Sequence, residues 1–301
     1  MQTHPRAGAS AAKEIGSKPF LKWPGGKRRL AVRILSLLPV EGRLIEPFVG
    51  AGSVFLASGH THLVLNDRNA DLMAAYAALQ SDPAAFIAEA RALFSGEYLS
   101  REAYLCLREE FNGLPAGFRR AVLFVYLNRH GFNGLCRYSQ SGRYNVPWGK
   151  LNATPYFPES ELWAATARLI RATLSCGDFA AAIEQARCGD AVICDPPYLS
   201  LAGKASFTMY DGHGFELKDH ERLAVLAREA SERGATVAIC NHDTDEARNL
   251  YAGSEIVAIQ VARSISASGA RRTPAAEIIA VFRPGQASMK GRCRDLETAL
   301  N

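Results

Sequence analysis

Short apolar runs that end in polar or glycine-rich turns recur along this chain of 301 residues. Most of the runs are continuously apolar, which is typical of strands buried on both faces of a parallel sheet. Helical periodicity lies between several of them, as over residues 217–233. This alternation predicts an α/β fold. The predicted strands cover residues 43–46, 62–66, 173–176, 191–194, 236–240, 255–262 and 277–282.

One long interval, residues 71–158, breaks the alternation because it contains no convincing strand pattern. Its helical patterns, at residues 72–79, 83–94, 100–111 and 118–128, are followed by a loop rich in glycine and arginine. We therefore predict a helical domain, residues 71–158, inserted into an α/β domain. The α/β domain would comprise residues 19–70 and 159–285, with a flexible leader at residues 1–18 and a C-terminal tail at 286–301.

The distribution of charge adds a candidate partner. The net charge is only +5, but residues 111–158 contain no Asp or Glu. Such a cationic zone suits a polyanion such as nucleic acid, although a solvated basic face has the same composition. The basic residues in this acid-free span are Arg119, Arg120, Arg129, Arg137, Arg143 and Lys150.

Composition argues against several classes of protein. The longest apolar run, residues 121–127, is too short to span a bilayer, and the leader lacks the apolar core of a secretory signal. Seven cysteines without a CxxC pair argue against a disulfide framework and a structural zinc site. We expect reduced thiols in a cytoplasmic protein.

Two candidate sites follow the first two predicted strands. Gly50 and Gly52 form a tight turn that lets a ligand approach the backbone, and the apolar segment after them is predicted to be a helix whose N-terminus favours negative charge. Asp67 ends the next strand, where it can chelate the ribose hydroxyls of a nucleoside cofactor. The alternatives are an ordinary turn for the glycines and a helix N-cap for Asp67.

A third candidate site, Asp195-Pro196-Pro197-Tyr198, follows the fourth strand, at the edge where open α/β sheets bind ligands. The prolines stiffen the loop and carry no N–H, so the loop offers hydrogen-bond acceptors. A carboxylate and a carbonyl can accept both hydrogens of an NH₂ group, and Tyr198 supplies a flat face for a planar ring. The pattern indicates a site for an aromatic amine; the alternative is a proline-rich turn with a capping Asp.

A fourth candidate, segment 20–27, precedes the first strand. Its glycines allow close backbone approach, Trp23 can stack on a ring, and Lys27 can pair with a carboxylate or phosphate. A simple turn is an equally good interpretation of this segment taken alone.

From residue 20 to residue 284 the chain resembles the Dam family of DNA adenine methyltransferases. The matching motifs stand in the family's order: KWPGGK, EPFVGAGSVF, NDRN, YLNRHGFNGLCRYSQSGRYNVPWG, DPPY, NHDT and RSISASGARR. The resemblance implies a Rossmann-like class I methyltransferase fold, a mixed sheet of about seven strands, with an inserted helical target-recognition domain. It also implies S-adenosylmethionine as the cofactor, S-adenosylhomocysteine as the product, and no metal ion.

The resemblance also implies roles for individual residues. Asp178 would lie near the cofactor's adenine, although it can also be a simple strand-end cap. The acidic run at residues 243–246 is better explained by helix N-capping than by a magnesium site. The complete set of cofactor-binding residues would be Trp23, Lys27, Phe48, Gly50, Gly52, Asp67, Asp178 and Asp195.

The family reads the sequence GATC in double-stranded DNA. By resemblance, Arg137 would reach a guanine edge and Lys22 would help to read the outer base pair. Leu135 and Pro147 would pack on a thymine methyl group, although plain packing explains them equally well. Phe132, where the family often has Tyr, would wedge into the opened base stack. Other contacts to bases or phosphates would come from Arg129, Asn133, Asn145 and Lys150.

The implied reaction is methylation of adenine at N6. The amino group is a weak nucleophile hidden in the duplex, so the base must flip out at a cost of a few kcal/mol. Asp195 and the Pro196 carbonyl would accept its hydrogens, Pro197 would stiffen the loop, and Tyr198 would stack on the ring. The methyl group would then transfer directly, in line, without a covalent enzyme intermediate.

Three alternatives share parts of this pattern. A methyltransferase for another amino group is disfavoured by the long segment at residues 126–149, the recognition segment. An inactive DNA-binding regulator is disfavoured by the intact Asp67, Asp195 and Tyr198. A nicotinamide oxidoreductase would share the glycine turn but has no need of the third site. We expect a cytoplasmic, nucleoid-associated monomer of bacterial or phage origin, without a membrane or obligate protein partner.

Overall fold

Seven strands form one mixed sheet at the centre of the computed structural model, which describes residues 17–199, 214–261 and 275–285. The strands are β1 (Arg43–Glu46), β2 (His62–Asp67), β3 (Ala172–Cys176), β4 (Ala191–Cys194), β5 (Thr236–His242), β6 (Glu255–Val261) and β7 (Ala275–Phe282). Their order is β3-β2-β1-β4-β5-β7-β6. All seven predicted strands are confirmed, with ends that differ by at most two residues within the described ranges.

The direction of the strands places the important loops. Strands β1 to β5 run parallel, and β7 is antiparallel to both β5 and β6. The order reverses between β1 and β4, which are neighbours, so the loops after these two strands diverge and leave a crevice at the carboxyl edge. The glycine turn and the loop at residues 195–198 therefore lie side by side.

Two separate apolar cores explain why the strands are continuously apolar. Leu44 and Ile45 are both fully buried, but Leu44 belongs to the core on one face of the sheet and Ile45 to the core on the other. All four residues of β4 are buried. An α/β fold with helices on both faces, as predicted, follows from this double burial.

The helices divide between these two faces. They are α1 (Ala31–Leu35), α2 (Ala70–Ser81), α3 (Pro83–Ala92), α4 (Arg101–Gly113), α5 (Phe118–His130), α6 (Glu159–Leu169), α7 (Phe179–Glu184), α8 (Leu217–Glu232) and α9 (Asp245–Leu250). Helices α1 to α6 contribute to the first core, and α7 to α9 to the second. No helix within the described ranges is long and apolar enough to cross a membrane.

Several local predictions can be compared with the structure. The acidic run does begin a helix, because the Thr244 side chain caps α9 and Asp243 pairs with Arg248 at 2.6 Å. The predicted helix after Gly52 was wrong, since only a single 3₁₀ turn, Phe55–Ala57, follows the glycines. That segment is too short to offer an anion site at a helix N-terminus.

The cysteine prediction needs one correction. The thiols of Cys106, Cys136, Cys176, Cys194 and Cys240 are free, as expected, whereas Cys188 is disulfide-bonded. Residues 1–16 of the predicted leader, the whole RSISASGARR motif at residues 263–272 and the predicted tail at 286–301 lie outside the described residues.

A buried ion pair joins the beginnings of β1 and β4. The Asp190 carboxylate, only 3% exposed, accepts hydrogen bonds from the Arg43 guanidinium at 2.6 Å and from the Arg43 backbone N–H at 3.1 Å. The Arg187 backbone N–H donates to it at 3.0 Å. The carboxylate thereby satisfies donors from two segments that must meet for the central strands to pair.

We predict that Asp190→Asn lowers the free energy of unfolding by about 3 kcal/mol, because it leaves the Arg43 cation without its buried counter-charge. Urea denaturation measures this change. Asp243→Asn is the matched control, since its pair with Arg248 is more exposed and should contribute much less to stability. Equal losses in the two variants would contradict the assignment.

Candidate active site and nucleic-acid interface

An ion pair lies at the crevice between β1 and β4. The Lys27 ammonium is 2.9 Å from an Asp195 carboxylate oxygen, and the two side chains are 10% and 26% exposed. Burial tends to lower the pKa of Lys27, but the charge and hydrogen bond of Asp195, together with Cys240 and Glu277 nearby, outweigh this effect, so the pKa of Lys27 is raised. Burial also raises the pKa of Asp195, and the Lys27 ammonium opposes that rise. The pair therefore joins segment 20–27 to the loop after β4.

The Tyr198 ring is held from several sides. Its hydroxyl donates to Glu277 of β7 at 3.0 Å, and the Lys27 ammonium lies 4.7 Å from the ring centroid. The His242 ring meets it edge-to-face at 4.9 Å. The next residue, Leu199, donates its backbone N–H to the buried Asn241 side chain at 3.1 Å. These contacts fix the orientation of the ring that was predicted to stack on a planar substrate.

The glycine turn after β1 has the left-handed backbone that only glycine adopts readily. Gly50 has φ +49° and Gly52 has φ +78°. A Cβ atom at Gly50 would lie 3.1 Å from Nε1 of the Trp23 indole, and one at Gly52 would overlap the Phe55 ring. Segment 20–27 thus packs directly on the glycine turn through Trp23, as well as on the loop after β4 through Lys27.

Asp67 lies against the same turn. One carboxylate oxygen accepts the Gly50 N–H at 3.0 Å and the other accepts the Asn69 N–H at 2.9 Å. Asp67 is not the N-cap of α2, because Asn69 occupies that position and accepts the Leu72 N–H. The structure therefore brings Asp67 and the two glycines together.

Asp178 has a structural role in the described residues. Its carboxylate caps α7 by accepting the Ala180 N–H at 2.9 Å and pairs with Arg222 at 2.5 Å. Burial tends to raise the pKa of Asp178, but these partners outweigh it and the pKa is lowered. Beside it, the Phe48 and Phe179 rings stack with their centroids 5.2 Å apart and form an apolar wall.

Glu46, the last residue of β1, was given no role of its own by the sequence analysis. It is only 4% exposed, and one carboxyl oxygen has no hydrogen-bond partner among the described residues. Burial, together with the Asp195 charge, raises its pKa to about 8 against the effect of the Phe55 N–H. The signal in the sequence that could have identified Glu46 is an ionisable residue at the end of an apolar strand. The carboxyl groups of Glu46 and Asp195 thus lie at the same edge of the sheet, but the Lys27 ammonium lies beside Asp195.

The recognition segment continues from the end of α5 into a tight turn at residues 131–134, the recognition turn, and then into a hairpin. The Phe132 N–H donates to the Pro147 carbonyl at 2.9 Å, and Tyr138 pairs with Tyr144 across the hairpin. Phe132 is 46% exposed. Asn133, Arg137, Pro147 and Lys150 are exposed, Arg129 and Asn145 are half-buried, and Leu135 is half-buried against the first core.

Arg137 and Asn145 form a pair across this hairpin. The Arg137 guanidinium donates to the Asn145 side-chain oxygen at 2.7 Å and to its carbonyl at 3.2 Å. Lys22 lies at the base of the recognition turn, because a Cβ atom at Gly134 would be only 2.2 Å from the Lys22 Cβ. Segment 20–27 therefore contacts the recognition segment too.

The basic residues of the acid-free span fall into two groups. Acids from outside the span neutralise three of them, in the pairs Arg119–Glu110, Arg120–Asp71 and Arg143–Glu109. For Arg129, Arg137 and Lys150, no ion pair with an acid occurs in the described parts of the chain. The predicted cationic zone is consequently narrower than composition suggested.

Two of the cations at this interface are close together. The Lys22 ammonium donates to the Arg129 carbonyl at 3.4 Å, and the Arg129 guanidinium donates to the Tyr156 carbonyl at 2.9 Å. Burial, followed by the Arg129 charge, lowers the pKa of Lys22. Burial likewise lowers the pKa of Arg129. An anion placed here would relieve the repulsion between them.

The sheet order, the antiparallel seventh strand and the loops at the β1 and β4 ends define a Rossmann-like methyltransferase. Residues 23–265 match the family model of the D12 class N6 adenine-specific DNA methyltransferases, and the chain belongs to this family. It is 43% identical over 268 residues to a DNA adenine methylase of Vibrio cholerae, covering 89% of this chain and 96% of the relative. It is 42% identical over 272 residues to the DNA adenine methylase of Escherichia coli strain K12, covering 90% and 98%.

The environment of Glu46 generates a pH prediction. Its pKa is about 8 in the folded protein, against an ordinary value of 4.5. Its contribution to stability is therefore complete below pH 4.5 and is lost as the pH rises toward 8, because the unfolded chain releases the proton first. The loss is at most about 5 kcal/mol.

We expect Glu46→Gln to remove this part of the pH dependence, since glutamine does not titrate. Urea denaturation of both proteins at several pH values between 5 and 8.5 measures the slope of the unfolding free energy. Parallel slopes for the wild type and the variant would show that Glu46 ionises as easily when folded as when unfolded.

Proposed function

We propose that this protein transfers a methyl group from S-adenosylmethionine to N6 of an adenine in double-stranded DNA, within the sequence GATC. The observation that carries the proposal is the position of segment 20–27. Trp23 packs on the glycine turn, Lys27 pairs with Asp195, and Lys22 contacts the recognition turn. One short segment thus joins the three regions that such a reaction requires.

The residues at the β1 and β2 ends fit the cofactor. The left-handed backbone at Gly50 and Gly52 leaves no side chain between the turn and a ligand, and two N–H donors orient the Asp67 carboxylate toward this turn. We assign Asp67 to the ribose, the wall formed by Phe48 beside Asp178 to the adenine, and Trp23 and Lys27 to the methionine end. When bound, S-adenosylmethionine supplies an electrophilic methyl group.

The loop after β4 fits the target adenine. Asp195 and the Pro196 carbonyl accept hydrogen bonds from the adenine amino group, which makes its lone pair available, and Tyr198 stacks on the ring. Lys27 orients the carboxylate, and Pro197 limits the motion of the loop. Asp195 need not be a strong base, since the proton leaves only after the methyl group has been added. Positioning and fixed charges supply most of the rate.

We assign residues 71–158 to DNA recognition and residues 19–70 and 159–285 to catalysis. Phe132 is exposed on a tight turn whose next residue, Asn133, has φ +52°, and this suits a ring that enters the base stack as the adenine flips. Arg137 reads a guanine, and Leu135 with Pro147 contacts a thymine methyl group. Arg129, Asn145 and Lys150 contribute contacts to bases or phosphates. A monomer suffices for one base.

The substrate prediction is tested with labelled S-adenosylmethionine and a set of short duplexes. Label should enter the adenine of GATC and fall strongly with any single base-pair change. Arg137→Ala should lose about tenfold or more in discrimination at the base pair that it reads, because one bidentate contact to guanine is worth about 1–3 kcal/mol. Equal labelling of all duplexes would contradict the assigned specificity.

The catalytic prediction concerns Asp195. Asp195→Ala should reduce methyl transfer by about 10³-fold because the amino group loses its charged acceptor. Cofactor affinity should be largely retained, whereas Asp67→Ala should weaken it. Rapid-quench transfer assays and a cofactor titration separate the two effects, with a thermal melt as the control for folding. Normal turnover by Asp195→Ala would exclude the mechanism.

A further inference from the structure

Two asparagines in the helical region make the same unusual contact with the main chain. Asn128 of α5 accepts the Lys22 N–H at 2.8 Å and donates to the Lys22 carbonyl at 2.8 Å. Asn112 of α4 accepts the Tyr144 N–H at 2.7 Å and donates to the Tyr144 carbonyl at 3.1 Å. Each amide therefore satisfies both backbone groups of one residue, as a neighbouring strand would.

These two contacts, Asn128 with Lys22 and Asn112 with Tyr144, are here called clasps. They hold different parts of the recognition segment and its surroundings. Asn128 is fully buried and donates a further hydrogen bond to the Gly134 carbonyl at 3.3 Å, so it joins Lys22 to the recognition turn. Asn112 holds Tyr144, the residue that directly precedes Asn145 in the hairpin. Asn145 in turn holds the Arg137 guanidinium. Each clasp thus lies behind one residue assigned to base reading.

The helices that carry the two asparagines form a rigid support. Phe111 of α4 and Phe124 of α5 are both fully buried and stack with centroids 6.5 Å apart. The Tyr144 ring meets Phe111 edge-to-face at 5.5 Å, and its hydroxyl donates to the Leu135 carbonyl at 3.0 Å. Displacement of either clasp would therefore shift a base-reading side chain without touching the crevice at residues 195–198.

We propose that Asn128 and Asn112 are positioning residues for sequence specificity, Asn128 for base reading by Lys22 and Asn112 for base reading by Arg137. Neither side chain needs to contact DNA. Each fixes the main chain from which a reading side chain extends, and a displacement of about 1 Å is enough to lose a directional hydrogen bond. This inference rests on the proposed DNA recognition and adds the residues that hold its geometry.

The test compares four variants on a panel of duplexes that differ from GATC by one base pair. The duplexes are premethylated on one strand, so that only one adenine accepts the methyl group. We expect Asn128→Ala to lose about tenfold in discrimination with the same base-pair profile as Lys22→Ala. Asn112→Ala should reproduce the different profile of Arg137→Ala. The two asparagine variants are thus matched controls for each other.

A purely structural role predicts another result. If Asn128→Ala and Asn112→Ala slow transfer to GATC and to every variant duplex by the same factor, the ratio is unchanged and the inference is overturned. Identical profiles for the two variants would overturn it as well. Cofactor titration and thermal melting verify folding, and Asn128→Ser replaces Asn128→Ala if the larger cavity prevents folding. A wild-type protein that labels all duplexes equally would instead refute the proposed recognition itself.

Discussion

The contact on which the arrangement of this protein most depends is the ion pair between Lys27 and Asp195. Lys27 precedes β1 and Asp195 follows β4, on either side of the helical region in the sequence, and they meet at the crevice between these two strands. A mostly buried ammonium is stable only beside a carboxylate, so Lys27 must lie against the loop after β4, which carries Asp195. Trp23 and Lys22, a few residues away, are thereby held on the glycine turn and the recognition turn.

The carboxyl edge of the sheet shows how burial separates chemically similar groups. Glu46 ends β1 and Asp195 follows the neighbouring β4, but within the described part of the chain only Asp195 has a cation within hydrogen-bond distance. Glu46, buried and with one oxygen unpaired among the described residues, holds its proton to about pH 8. A second ionised carboxylate beside Asp195 would compete for Lys27 and destabilise the crevice. The raised pKa of Glu46 therefore limits its competition with Asp195 for the Lys27 charge.

The basic surface illustrates a similar selection. Arg120 lies across Phe111, pairs with Asp71 and donates to two backbone carbonyls, so its charge stabilises the helical region. Among the described residues, Arg137 is held only by the uncharged Asn145 across an exposed hairpin. Charges that are already neutralised add little to the attraction of a polyanion. The cations left beside the recognition turn are the ones that suit contact with DNA, in agreement with the proposed function.

The sequence by itself determined the seven strands, the α/β class and the resemblance, because continuous apolar runs are readable from local pattern and the motifs carry family identity. It also identified Asp67, Asp195 and Tyr198 as candidate residues. Only the tertiary structure decided that a 3₁₀ turn, not a helix, follows Gly52, that Asn69 is the cap of α2, and that burial raises the pKa of Glu46. The clasps of Asn112 and Asn128 were equally unreadable. Each of these depends on which distant groups approach a residue and exclude water from it, and no local pattern encodes that.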